Sequence, residues 1–399
     1  MTKEEYLMLA ETKWKELEEL KALGNFYDYE KRFSEIWIEL GRAVLENSIG
    51  EVPGDRRKKK KVLTRMGEVE ISNKNPFSAP VHGFQISPLM QELMAYTGQW
   101  EVYGKGAEVL EKLSQVKVSA AQLYRVVNTY GEQLETELTK PQPALPVSEG
   151  TVVYAEMDGG MIFTDDGWQE VKVGRVFLEE DCRKSPVEGR GGNIEHSEYA
   201  ACLGHYQDFA QRFEPLVRPY EHLAHRLVFL TDGAPWMRIW VEKNFPLATQ
   251  ILDFRHVKDH LAAVSEQFFE QAQQRKGWLE KQADLLLNDG FEEVLKNLRS
   301  LEPNSQAARK EQEKQENYLL ENRYRMDYKT YMDSDLFIGS GAIEASHRTV
   351  VQRRLKLSGQ RWTQKGAASV LNLRVSYMSD KWGRVVNLIR DYKPLKKVA

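Results

Sequence analysis

Three acidic residues stand in three distinct local settings: Asp158 in YAEMDGG, Asp232 in LVFLTDGAPW and Glu344 in GSGAIEASHR. The first two follow the apolar runs Val152 to Tyr154 and Leu227 to Leu230, where a buried strand ends and a side chain can reach a cleft. Glu344 lies on a segment that reads as a helix. Carboxylates converging from two strand ends and a helix can hold two Mg²⁺ ions, with Mn²⁺ as a substitute. Such a pair activates a water or a 3′-hydroxyl and stabilises the leaving oxygen in an in-line displacement, the chemistry by which phosphodiesters are cut and joined. Taken singly, each Asp-Gly is equally well a turn and Glu344 a solvated surface group, so the reading rests on the three together.

Other reactive side chains lie close by in sequence. Glu156 shares a strand face with Asp158 and reads as a structural neighbour. Asp253 and His256, three residues apart at a strand-to-helix junction, read as a supporting pair, the plain alternative being an N-capping Asp beside a satisfied histidine. His260 and His347 read as packing or DNA-backbone contacts. A basic cluster follows Glu344, comprising Arg348, Arg353, Arg354, Lys356, Arg361 and Lys365, and is placed to grip phosphates beside the acids. Trp362 and Trp278 could stack on an unpaired base, although an isolated Trp is more often a core anchor.

Composition bounds these readings. With 399 residues, 41% hydrophobic and 29% charged, the chain can form two or three domains and bury a core. Its net charge of −3 argues weakly against nucleic-acid binding. The charges are segregated, however, into a basic run from Arg56 to Lys61, the cluster after Glu344, and Glu-rich helices elsewhere, and it is the distribution that decides what can dock. Cys182 and Cys202 form neither a disulfide framework nor a zinc motif. A charged N-terminus and the lack of a bilayer-length apolar stretch give the expectation of a cytoplasmic, non-membrane protein. No GxGxxG or GxxxxGK[ST] occurs, so no nucleotide cofactor is indicated.

The elements that must position these residues follow from periodicity. Residues 1–83 read as two helices parted near Gly24, then the basic run and a hairpin around Gly67. Residues 84–139 read as a helix-turn-helix whose last helix is opened by a capping box of Ser119 and Gln122 and exposes Gln122, Arg125 and Asn128 toward a major groove. A proline-containing linker occupies 140–150. Residues 151–259 alternate strand and helix signals: two strands joined by the acidic turn Thr164 to Gly167, a glycine-rich loop (Gly189, Gly191, Gly192), a third strand near Ile194, and two more ending near Asp232 and Asp253. This is a mixed α/β sheet. Residues 260–335 read as an all-helical insertion, and 336–399 as the last part of the sheet domain, carrying Glu344 and a basic helical segment.

The set MDGG, LTDGAPW, DFRHVKDHL and GSGAIEASHRTVVQRRLKLSGQRW, in this order over roughly residues 150 to 385, resembles the catalytic core of the DDE transposases of bacterial insertion sequences. It looks most like the ISKra-like or ISL-like branch, with a helical insertion before the Glu. The resemblance implies an RNase H-like fold, with Asp158, Asp232 and Glu344 as catalytic metal ligands and Asp253 and His256 as the acid-x-x-His signature. It also implies binding of terminal inverted repeats and target DNA, with Arg348, Arg353, Arg354, Lys356, Arg361 and Trp362 in the family's basic segment. Holding two element ends implies a homodimer or larger assembly, in the bacterial cytoplasm at the nucleoid. Related proteins often carry a cysteine-rich stretch near the N-terminus; here residues 56–82 hold no Cys and only His82. A nuclease of the same fold that only cleaves, and a domesticated non-enzymatic DNA-binding regulator, remain as alternatives.

Overall fold

The computed structural model describes residues 3–22, 24–183 and 192–392. Within them the chain divides into two units, Leu138–Gln364 and the combination of Met1–Glu137 with Lys365–Ala399. The first N-terminal elements are helices α1 (Lys3–Lys21) and α2 (Phe26–Ile49), parted at Gly24 as the sequence predicts. The hairpin β1 (Lys60–Thr64) and β2 (Gly67–Ile71) follows, with Val62, Val69 and Ile71 packed on Leu45 and Ile49 of α2. Much of the basic run is paired at short range: Arg57 with Asp55, Lys59 with Glu51, Lys61 with Glu68.

Helices α3 (Pro88–Trp100), α4 (Tyr103–Ser114) and α5 (Ala120–Leu138) come next. The capping box at the start of α5 is formed: Ser119 Oγ accepts from the Gln122 amide at 3.2 Å, and Gln122 Oε1 accepts from the Ser119 amide at 2.8 Å. Val116 and Val118 within the α4–α5 connection are buried, so it is an apolar link and not a solvated turn.

The second unit is built on a five-stranded mixed sheet in the order β7-β4-β3-β8-β9. Its central strand β3 (Val152–Thr164) pairs antiparallel with β4 (Gly167–Leu178) through the Thr164–Gly167 turn. A two-residue pair, β5 (Cys182–Arg183) and β6 (Asn193–Ile194), stands apart from the sheet; Gly189 and Gly191 of the glycine-rich loop lie outside the described residues. The third sheet strand is therefore not at Ile194 but at β7 (Glu198–Leu203), antiparallel to β4. After α6 (Tyr206–Val217), β8 (Arg226–Thr231) lies parallel to β3, and after α7 (Pro235–Asn244), β9 (Thr249–Leu252) lies parallel to β8.

Every residue from Val152 to Met157 is buried, because β3 is covered on both faces. Alternate residues enter two cores. Val153, Ala155 and Met157 pack with Phe209, Phe213, Met237 and Trp240 of α6 and α7. Val152 and Tyr154 pack instead with the helices that follow: α8 (Phe254–Phe268), α9 (Ala272–Leu287), α10 (Phe291–Arg299), α11 (Gln306–Asn322) and α12 (Tyr328–Asp333). The segment 260–335 is helical as expected, yet it is more than an appended insertion, since Leu261, Val264, Leu286, Leu295 and Leu319 form the core of one sheet face.

The chain then gives α13 (Gly341–Ser346), a π-helical stretch (His347–Gln352) and the short α14 (Arg353–Leu355). Residues 356–363 are not helical, so the final segment is interrupted in its middle. There Trp362 forms a bridge to Thr164, its amide donating to Phe163 O at 3.2 Å. The helices α15 (Gln364–Met378) and α16 (Gly383–Arg390) belong with the N-terminal unit, not with the sheet. Two buried side chains tie α15 there: Asn372 Nδ2 donates to Gly131 O at 2.8 Å and Arg374 Nη1 to Gln99 O at 2.9 Å. None of the helices is long and apolar enough to cross a membrane among the described residues.

Candidate active site

The parallel pairing of β3 with β8 stops at Met157 and Thr231, and Asp158 and Asp232 are the next residue on each. Asp158 is thus not at the end of its strand, since β3 runs on six residues as a hairpin with β4 alone. It lies where the neighbour on one side ends, which opens its side chain although the strand continues. Asp158 Oδ1 accepts from the Gly159 amide at 2.7 Å, and Asp232 Oδ1 accepts from the Ala234 amide at 2.8 Å at the entry to α7. Burial raises the Asp232 pKa above the ordinary carboxylate value, and the nearby negative charge of Asp158 adds to the rise, while the Ala234 amide, His256 and Arg325 act the other way.

Helix α13 brings Glu344 to the same end of the sheet. The Arg255 guanidinium contacts both Glu344 oxygens, at 2.7 and 2.8 Å. One turn on, His347 Nε2 lies 3.4 Å from Asp158 Oδ2 without forming a hydrogen bond. The absence of a side chain at Gly160 permits this approach, because a Cβ there would sit 2.8 Å from the His347 ring.

Asp253 is the N-cap of α8, accepting from the Arg255 amide at 2.7 Å. Its other oxygen accepts from the Ser340 amide at 3.2 Å and from the Ser340 hydroxyl, so it ties β9 to the start of α13. His256 is half-buried and close enough to Asp232 to favour its charged form. Asp253 and His256 therefore stand beside the acids, the first as a structural tie. His260 stacks on Tyr318 at 3.6 Å and its Nδ1 lies 2.6 Å from Gln315 Oε1; burial lowers its pKa. His260 and His347 are packed, as the sequence suggests.

Sequence reasoning missed two contributions from the helices of 260–335. Tyr318 of α11 closes on the turn after Asp232, where a Cβ on Gly233 would lie 2.1 Å from its ring, and its buried hydroxyl has no hydrogen-bond partner among the described residues. Arg325, fully buried, donates to Thr231 Oγ1 at 3.2 Å and bonds Asn322. A buried Arg several residues into a charged helical run carries no signal that distinguishes it from its exposed neighbours.

Glu156 is buried, 1% exposed, directly opposite Arg175 in the β3–β4 register. Burial pushes its pKa up to about 8, against the opposing pull of Arg175 and the Ile343 amide. Its Oε2 has no hydrogen-bond partner among the described residues.

The nucleic-acid candidates divide. Arg348, Arg353, Lys356, Arg361 and Lys365 are exposed; Arg361 pairs with Asp165 at 2.9 Å and Lys365 with Glu132 at 2.8 Å. Arg354 and Trp362 are instead buried, at 1% and 7% exposure, with the guanidinium 4.9 Å from the indole centroid and Trp362 Nε1 donating to Leu355 O at 3.1 Å. Neither faces a solvent-borne ligand; they staple the segment after Glu344 to the β3–β4 turn. Trp278 is likewise packed against the helical core of 260–335. On α5, Gln122 is half-buried and Arg125 exposed, but Asn128 is 9% exposed. It lies next to the buried Val126, Val127 and Tyr130, on the face α5 turns inward.

Three carboxylates with only oxygen donors suit a hard cation such as Mg²⁺, and the raised pKa of Asp232 marks a place where a positive charge would be stabilising. The three are not drawn onto one point, because Glu344 is turned to Arg255. Among the described residues, the His, Asp, Glu or Cys set whose ligand atoms all lie within 4.8 Å of one another is Asp181, Glu195 and His196, away from this site on the β5–β6 pair and its flanks. Compared with known proteins, the sequence matches no family model and no curated protein.

Proposed function

We propose that this chain is a DDE transposase with an RNase H-like core, acting on the ends of an insertion sequence. The observation that carries the reading is the topology around the acids. A sheet of order β7-β4-β3-β8-β9, antiparallel on one side of β3 and parallel on the other, bears Asp158 on β3 and Asp232 one residue past the end of the adjacent β8. Glu344 returns beside them on a helix after some eighty residues of α-helical chain that cover one sheet face.

In this reading Asp158, Asp232 and Glu344 hold two Mg²⁺ ions, for which Mn²⁺ substitutes. When bound, the ions activate a water or a 3′-hydroxyl and stabilise the leaving oxygen of the phosphodiester. The protein's own part is positional. The sheet ladder fixes the two aspartates, Asp253 fixes the start of α13, and Glu344 exchanges Arg255 for its ligand. His256 biases Asp232 toward its charged form. Exposed Arg348, Arg353, Lys356 and Arg361 follow Glu344 and suit phosphate contacts, with Arg125 and Gln122 of α5 as a separate contact to DNA. The working state is a homodimer or larger assembly, since two element ends must be held together.

The test is an end-labelled duplex carrying the terminal repeat of the element that encodes the chain, with Mg²⁺ and a target plasmid. Wild type is expected to cut at the end and join it to target. Asp158→Ala, Asp232→Ala and Glu344→Ala are expected to bind the end but to lower cutting about a thousandfold or more. Binding without cutting by wild type in either metal contradicts the reading and favours a DNA-binding regulator, and cutting without joining favours a nuclease.

A further inference from the structure

Residues Ala342 and Ile343, the two before Glu344, meet two buried ionisable side chains. Arg175 on β4 donates from Nη1 to Ala342 O at 2.9 Å and from Nε to Ser197 Oγ at 2.9 Å. Its guanidinium lies 5.4 Å from the ring centroids of both Phe177 and Tyr199. Opposite it on β3, the Glu156 carboxyl group lies beside the Ile343 amide, which itself donates to Ser340 O at 3.1 Å. Both side chains are under 10% exposed. Burying such a pair gives little net stability against an apolar pair of the same size, so stability alone is a poor reason for its presence.

We propose that Arg175 and the Glu156 opposite it are positioning residues that hold the first turn of α13, Arg175 by a direct bond to its backbone C=O and Glu156 by filling the space beside the Ile343 amide, and so fix where Glu344 is presented. The grip is independent of the side chains of α13, whose Ala342 and Ile343 offer no polar group of their own. It supplements the tie from Asp253, the N-cap of α8, to Ser340, so the start of α13 is held from β3, β4 and α8 at once. Helix α13 opens a helical run that continues through the π-helical stretch to Leu355, and its first turn, whose leading N–H groups have no partner within the helix, is the part that such external contacts place. The importance of that direction rests on the reading of Glu344 as a metal ligand.

The test is amide hydrogen exchange on the full-length chain without DNA or added metal, comparing wild type with Glu156→Gln, which keeps an acceptor, and with the double variant Glu156→Leu/Arg175→Leu, which removes both ionisable groups together. In the double variant, amides 341–346 are expected to exchange about tenfold faster or more, while those of β3 and β8 are unchanged. Glu156→Gln is expected to stay within about threefold of wild type. Unchanged exchange at 341–346 in the double variant overturns the proposal, as does equal acceleration throughout the sheet. A paired assay on the labelled end separates the two claims: the double variant is expected to bind it as wild type does and to cut it more slowly. If wild type cuts nothing while 341–346 loosen as described, the transposase reading fails and the grip stands.

Discussion

The strand-borne and helix-borne halves of the site are held by different forces. Asp158 and Asp232 are set by the ladder of a sheet buried on both faces, and each needs only one neighbouring amide to complete its local bonding. Glu344 sits in the first turn of a helical run whose start is located by side chains from elsewhere: Asp253, Arg175 with the neighbouring Glu156 and, on the carboxylate itself, Arg255. A ladder cannot shift without unpairing many bonds at once, whereas a helix start located by side chains can be displaced by changing those side chains one at a time. On the proposed reading, the ladder defines the place of reaction and the helix start completes it.

The comparison can be broken most forcefully at Trp362, which pins the chain after Glu344 to the β3–β4 turn. Trp362→Ala should cost about 3 kcal/mol or more in chemical denaturation, as removal of a packed indole does. If it were a base-stacking group, stability would hold and only DNA affinity would fall. On the strand side, Gly233→Ala drives a methyl into Tyr318 and should cost about 1–3 kcal/mol, a cost that Tyr318→Ala in the same chain should largely remove; an equal loss in both backgrounds would contradict the contact.

Smaller effects sharpen the contrast. On the proposed reading Arg255 competes with a cation for Glu344, so Arg255→Ala should tighten Mn²⁺ binding in calorimetry by roughly two- to fivefold, the scale of a half-exposed ion pair. The same substitution should leave the strand aspartates undisturbed; weaker binding would show that Arg255 supports the site. His260 has its pKa lowered by burial. Its neutral form therefore contributes stability in full above the unfolded value of about 6.5. That contribution is lost as pH falls below 6.5 toward the lower folded value, because the unfolded chain takes up the proton first. His260→Gln should flatten that part of the stability profile between pH 5 and 7, and an unchanged slope would place the titration elsewhere.

These differences also explain what could be read from the sequence. The capping box of Ser119 and Gln122, the β1–β2 hairpin and the strands around Asp158 and Asp232 are local patterns, and each formed as its residues suggest. The mixed α/β organisation and the helical nature of 260–335 follow for the same reason. What was not legible depends on partners far apart in the chain. Ser340 meets Asp253 eighty-seven positions earlier, and Ala342 meets Arg175 at a separation of 167. Arg354 and Asn128 looked like exposed polar groups because their types and spacing are those of a binding face, yet packing turns both inward, and Trp362 is buried beside Arg354 as an isolated Trp more often is. Asp158 looked like a strand terminus because polarity changes there; what ends at that point is the neighbour, β8.

The most direct measurement exchanges a single donor atom type at the strand-borne half. Asp158→Cys and Asp232→Cys replace a hard oxygen ligand with sulfur, which Mg²⁺ avoids and Mn²⁺ accepts more readily. In cleavage of the labelled element end, each variant should be inactive in Mg²⁺ and regain cutting in Mn²⁺, while wild type cuts in both. Equal cutting by the variants in Mg²⁺ and Mn²⁺ would contradict coordination by these aspartates, and with it the account of the site as a metal-dependent phosphodiester-cutting centre.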